Sequence, residues 1–161
     1  MNRSRRPVTM CALIWSALLS SVVGVSAQQD EGYARSSAGT RMLAREGGAS
    51  LKMLLDWTNL QSDEIEIAEI IIPVGATPSP THQHGSMEIF YVVEGVLGHV
   101  VNGEEHRLEP GMVGVVKPGD EVLHLVLSEG PVKTVVIWVP GGESDRRYGP
   151  PDADGWTPIR D

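Results

Sequence analysis

Cysteine is almost missing from this chain of 161 residues: there is one, Cys11, inside an N-terminal apolar segment. A single cysteine excludes an internal disulfide framework, and its position excludes thiolate chemistry once that segment is removed. Basic residues are scarce too, with 13 Lys+Arg against 21 Asp+Glu and a formal charge of −8. A surface of that sign repels phosphate backbones, so nucleic acid is not an expected partner. No glycine-rich phosphate loop joins a strand to a helix. Past the first 27 residues no apolar run is long enough to cross a bilayer. There is no internal repeat and no sustained helical periodicity.

What is present begins with a leader. Arg3, Arg5 and Arg6 precede an apolar run from Cys11 to Val25, and Val25-Ser26-Ala27 is a small-residue cleavage site. Residues 1–27 are read as a secretory signal peptide, with Gln28 as the first mature residue. The alternative is an uncleaved membrane anchor, which the shortness of the run disfavours. Ser4-Arg5-Arg6 hints at a twin-arginine signal, so Sec and twin-arginine export both stay open. Loss of the three arginines, and of no acid, takes the formal charge from −8 to −11. The expected location is exported, periplasmic or extracellular. Folding there rests on core burial and a metal rather than on disulfides.

Residues 28–48 are polar and rich in Gly and Ser, an expected flexible N-terminal arm with a short turn of helix at 40–45. From residue 49 to 140 the pattern is that of short strands. Alternation marks strands over 51–57, 64–72, 88–93, 96–101, 104–108, 112–117, 121–127 and 132–139. Turn signals separate them, the clearest being Asn102-Gly103, a two-residue hairpin. Residues 141–161 are Gly/Pro/Asp-rich and expected to be irregular, with Arg146-Arg147-Tyr148 and Trp156 as anchors. About eight short strands predict an all-β fold, an antiparallel barrel or jelly roll.

One stretch carries the chemistry: His82-Gln83-His84-Gly85-Ser86-Met87-Glu88. Side chains two residues apart on extended backbone share a face, so His82 and His84 point together and Glu88 can join them. Two imidazoles and a carboxylate are a donor set for a divalent transition metal. His124 lies on an otherwise apolar strand face with Val122 and Val126, and a neighbouring strand system can bring it to the same point. Three imidazoles and one carboxylate leave coordination positions open for water, dioxygen or a chelating substrate.

At these residues the sequence resembles the cupin superfamily, as a small single-domain member. The first cupin motif runs Gly, His-x-His, Glu, Gly, matched here by Gly75, His82, His84, Glu88 and Gly95. The spacing from His82 to Gly95 fits; the spacer after Gly75 is one residue longer than usual. The second motif is looser, with Gly111, Pro118, Gly119 and His124, four residues rather than two before the histidine, and Ser128 where asparagine is usual. The resemblance spans about residues 50–140. It implies a cupin-like double-stranded β-helix and metal-ligand roles for His82, His84, Glu88 and His124, with Fe, Mn, Ni, Cu or Zn as the metal. Fold and metal transfer across so broad a superfamily better than activity does.

His99 shares a face with Leu97 and Val101, and Glu69 shares one with Ile65, Ile67 and Ile71. Both are candidate catalytic proton carriers if those faces turn inward. Phe90, Met112, Trp57 and Trp138 are candidate cavity-lining side chains. The expected function is an exported metalloenzyme acting on a small oxygenated molecule, with a dioxygenase-like reaction favoured. The alternative is a non-enzymatic barrel that binds or senses a small ligand or metal. Strands 88–93 and 121–127 are apolar on both faces. That predicts a homodimer packed through Ile89, Tyr91, Val93 and Leu123, Leu125, Leu127.

Overall fold

The structure is a computed structural model that describes residues 38–44 and 46–159. The expected leader at 1–27 and most of the expected arm lie outside the described residues. No helix among the described residues is long and apolar enough to cross a membrane.

In chain order the elements are β1 (Arg41–Ala44), β2 (Ser50–Leu55), α1 (Trp57–Leu60), β3 (Glu66–Ile72), β4 (His82–Gln83), β5 (Met87–Glu94), β6 (Leu97–Val101), β7 (Glu104–Leu108), β8 (Val113–Val116), β9 (Glu121–Val126), β10 (Val132–Val139), α2 (Glu143–Tyr148) and β11 (Trp156–Pro158). They form a seven-stranded sheet in the order β11-β1-β2-β3-β10-β5-β8 and a four-stranded sheet in the order β4-β9-β6-β7. Every pairing is antiparallel. The two sheets enclose the core, as alternating strands with one apolar face require. Leu51, Met53, Ala68, Ile70, Phe90, Val92, Leu97, Val132, Val136 and Trp138 fill it.

The Asn102-Gly103 hairpin forms as expected between β6 and β7, with Val101 opposite Glu104. Both turn residues have positive φ, 51° and 82°, the conformation that asparagine and glycine tolerate best.

Three sequence-based expectations are corrected. The turn of helix expected at 40–45 is instead β1, hydrogen-bonded between β2 and β11, so this part of the arm belongs to the sheet. The tail expected to be irregular contributes α2 and β11. Its anchor is a buried polar network. Ser144 donates its N–H and hydroxyl to Glu66 at 3.0 and 2.8 Å, and Arg41 donates to Ser144 at 2.9 Å. Trp57, read as the last residue of a strand, instead opens α1. Asp56 caps it by accepting from the Thr58 N–H at 2.9 Å, and Trp57 is left 62% exposed and does not line the cavity beside His82, His84 and Glu88.

The two apolar strand faces proposed for a dimer also separate. Ile89, Tyr91 and Val93 lie on the outside of the seven-stranded sheet, whereas Leu123, Leu125 and Leu127 belong to β9 and its end, in the four-stranded sheet. They do not make one continuous patch.

Candidate metal centre

His82 sits in β4 and is placed by its pairing with Val122 of β9. His84 follows one residue beyond β4. Glu88 opens the inward face of β5 that continues with Phe90 and Val92, all buried. His124 is in β9, directly opposite His99 of β6. The four residues singled out by sequence therefore come from both sheets and meet between them.

The distances are short. His82 Nε2 and His84 Nε2 are 3.1 Å apart, and His84 Nε2 is 3.2 Å from Glu88 Oε1. His124 Nε2 stands 3.8 Å from Glu88 Oε2, too far for a hydrogen bond. Metal bonds of about 2.1 Å place neighbouring donors of an octahedron roughly 3 Å apart, so the first two spacings fit donors of one ion. Among the described residues no group of three or more His, Cys, Asp or Glu side chains stands so that it could hold a metal ion as placed; the last gap, to His124, is the one that would have to close. The strongest sign of fit is what lacks a partner. Glu88 Oε2 and His124 Nε2 are both buried and neither has a hydrogen bond. Buried polar atoms are rarely left so, and a shared cation satisfies both at once.

Each ring is oriented from outside the cluster. His82 Nδ1 lies 2.9 Å from the Pro80 carbonyl, which turns Nε2 toward the other donors. His84 Nδ1 lies 3.1 Å from Glu143 Oε1 on α2, an ion-pair contact whose angle is poor for a hydrogen bond. His124 is stacked on His99, with ring centroids 5.3 Å apart and planes 12° apart, and touches Phe90 at 4.4 Å. Glu88 Oε1 accepts the indole N–H of Trp138 at 2.9 Å.

These surroundings set the protonation states. Burial pushes His124 down to about 3, only partly opposed by the Glu88 charge, and the neighbouring histidines lower it further. Burial also lowers His99 and His82, and the Arg147 charge adds to the effect at His82. Burial acts downward on His84 as well, but the Glu88 and Glu143 carboxylates outweigh it and the ring is raised. Burial acts upward on Glu88, where hydrogen bonding from His84, the charges of His124 and His84, and the Trp138 N–H hold the acid below its ordinary value. A carboxylate ready to bind a cation thus faces three imidazoles, two of them kept neutral.

A cavity of about 70 Å³ opens at the cluster, lined by His82, His84, Glu88, Phe90, His124 and Trp138 and bounded by Thr77, Ser79, Arg147 and Tyr148. A buried water needs roughly 10–15 Å³, so this is room for about five.

The candidate proton carriers are placed elsewhere. His99 is buried and inward as expected, but it stands behind His124. It lines a separate cavity of about 300 Å³ with Val101, His106, Leu108, Val113, Gly114 and Val115. Glu69 is corrected outright. It lies on the outer face of β3, where Lys133 pairs with it at 2.8 Å; the inner face carries Glu66, Ala68 and Ile70. Met112 is 46% exposed and does not line the site cavity, whereas Phe90 and Trp138 do. Sequence reasoning missed Glu143. The tail anchors it names are Arg146, Arg147, Tyr148 and Trp156, and no local pattern ties this acid to a histidine 59 residues earlier.

Two packed antiparallel sheets with this donor cluster between them define a cupin-type double-stranded β-helix. The Cupin domain family matches residues 68–140, the stretch from within β3 to just past β10. Solved structures share the fold at low identity. An RmlC-like cupin from Shewanella frigidimarina is 23% identical with a TM-score of 0.58, covering 69% of this chain and 95% of that one. KdgF from a Halomonas species is 21% identical with a TM-score of 0.53, covering 62% and 84%. A predicted oxalate decarboxylase from Thermotoga maritima is 17% identical with a TM-score of 0.54, covering 63% and 92%. No curated protein matches the chain.

Proposed function

We propose that this is an exported metal-binding cupin in which His82, His84, Glu88 and His124 hold a divalent transition metal, and that it is an enzyme acting on a small oxygenated molecule, with a dioxygenase-like reaction. One observation carries the metal assignment: two buried, unpartnered donor atoms, Glu88 Oε2 and His124 Nε2, face each other at 3.8 Å beside a close pair of imidazole nitrogens. When bound, such a metal supplies a Lewis-acid centre with open positions. The chain's own groups hold Glu88 ionised, keep His82 and His124 neutral, and line a cavity that admits only a few atoms beside them.

A second reading, a binding or sensing barrel without turnover, is favoured by the placement of the proton carriers. Neither Glu69 nor His99 lines the cavity. The two readings separate in one set of measurements. Protein purified from its own compartment is assayed for metal, then wild type, Glu88→Gln and His124→Ala are compared. Metal at one equivalent in the wild type, and a loss of at least tenfold in affinity in both variants, is the expected result. Equal metal content in all three overturns the assignment. Dioxygen uptake with iron- or manganese-loaded protein distinguishes the enzyme from the module. The outer face of the seven-stranded sheet, open at Tyr91, Val93, Val113 and Val115, is where we place the contact of a homodimer.

A further inference from the structure

Two consecutive arginines, Arg146 and Arg147, lie in the last turn of α2, and their surroundings differ. Arg146 is committed. Its Nη2 pairs with Glu143 Oε2 at 2.6 Å and reaches the Ser86 hydroxyl at 3.4 Å. Its guanidinium also covers Gly85, where a Cβ would overlap it. Arg147 is half-buried and bounds the cavity at the donor cluster. Its Nε donates to the Tyr148 hydroxyl at 3.1 Å. Among the described residues no carboxylate pairs with it. A guanidinium has five N–H donors, so the two terminal nitrogens keep four, set in the flat fork that matches a carboxylate.

Among the described residues none of the acids at the cluster pairs with it, and Glu88 Oε2, the one oxygen there without a hydrogen bond, faces His124 instead. Glu88 Oε1 is engaged by Trp138 and His84, and Glu143 by His84 and Arg146. A cation without a carboxylate partner among the described residues, held at the edge of a small cavity in a chain of net charge −8, is set apart by position rather than by overall attraction. We propose that Arg147 is the anion-recognising group of this cavity and that the ligand is a small molecule with a carboxylate. Its charged end lies against Arg147 and a second oxygen lies at the cluster of His82, His84, Glu88 and His124. The second contact rests on the metal assignment above; the first does not. The cavity, about 70 Å³, limits the ligand to a handful of non-hydrogen atoms. Exposed Thr77 and Ser79 offer hydroxyls for its remaining polar groups.

The test uses lactate and its neutral counterpart lactamide, which differ in charge and little in shape. Both are titrated into ¹⁵N-labelled mature protein, zinc-loaded and metal-free, followed by amide shifts. Lactate is expected to bind the zinc-loaded protein at least tenfold more tightly than lactamide. Arg147→Gln is expected to erase that preference and Arg147→Lys to keep part of it, with zinc affinity in both variants within twofold of wild type. A preference that survives in Arg147→Gln overturns the proposal. So does equal binding of the two probes, or binding of neither, in the unaltered protein. Failure of the metal assignment shows separately, as absence of zinc uptake by wild type. The metal-free titrations then decide the role of Arg147 by themselves.

Discussion

Replacing Glu143 with alanine removes the acid facing the outer nitrogen of His84 and leaves all four donors in place. The carboxylate is buried, with its side chain 4% exposed, and one oxygen lies 3.1 Å from His84 Nδ1. The other accepts the Gly85 N–H at 3.2 Å and pairs with Arg146 at 2.6 Å. Without it, a ring whose side chain is 1% exposed loses its only polar contact on that side. The ring is then free to turn about its torsion, and its second nitrogen becomes less basic. Groups that orient a liganding histidine in this way typically contribute 10- to 100-fold in metal affinity. That is about 1.4–2.7 kcal/mol. Competition against a chromophoric zinc chelator measures it on wild type, Glu143→Ala and Glu143→Gln. Glutamine keeps a carbonyl oxygen toward Nδ1, so it is expected to fall between the other two. The helix should stay docked, because Ser144 donates to Glu66 and Arg41 donates to Ser144, both independently of Glu143. A melting temperature close to wild type checks this. A folded Glu143→Ala protein whose zinc affinity is within twofold of wild type would refute the reasoning.

Two further outcomes are expected. In metal-free protein the folded state keeps His124 neutral down to about pH 3, while the unfolded chain takes up that proton near 6.5. Between those values the unfolded state binds more protons, so stability present above pH 6.5 is lost as the pH falls toward 3. The shift sets a ceiling of about 5 kcal/mol at roughly 1.4 kcal/mol per unit. His99 and His82 act in the same sense, and the raised His84 and lowered Glu88 form an internal pair. Thermal melts of metal-free wild type and His124→Leu at pH 7.5, 5.5 and 4.5 should show the steeper loss in wild type; parallel melts would sink the assignment. For the dimer, light scattering is expected to give twice the mass of one mature chain, and Tyr91→Asp half of that, since a charge on the centre of an isologous apolar face is repeated on both partners. A single-chain mass in the wild type removes the dimer.

Sequence periodicity located what alternation controls. The strands from β5 to β10 were legible because polar and apolar residues alternate between strong turn signals, and Asn102-Gly103 specified its hairpin unaided. The pairing of His82 with His84 and Glu88 followed from a period of two, and His124 from the need of an antiparallel barrel to bring a second strand system alongside the first. In β3 the same rule was blind. Its two faces carry Ile67 and Ile71, or Ala68 and Ile70, so apolarity does not choose between them. Each also carries an acid. What chooses is Ser144, 78 residues away, which meets Glu66 and turns Glu69 out to Lys133. Short β1 failed for a related reason. Four residues in a Gly/Ser-rich setting have little strand preference of their own, and their order comes from pairing with β2 and β11.

Strand alternation aims a histidine at a point but does not set the rotation of its ring, which is a separate torsion. Here each ring gets a different device: a backbone carbonyl at Pro80 for His82, a carboxylate on α2 for His84, and stacking against His99 and Phe90 for His124. Only the last comes from the barrel strands. The first belongs to the loop before β4, and the second to a helix after the last core strand. A chain ending at residue 140 would keep all four donors yet lose Glu143, which faces His84, and Arg147, the cation at the cavity. The tail that looks like trailing irregular chain by composition is therefore part of the centre. The barrel brings the donors together, and segments outside it fix their orientation and the charge a ligand meets.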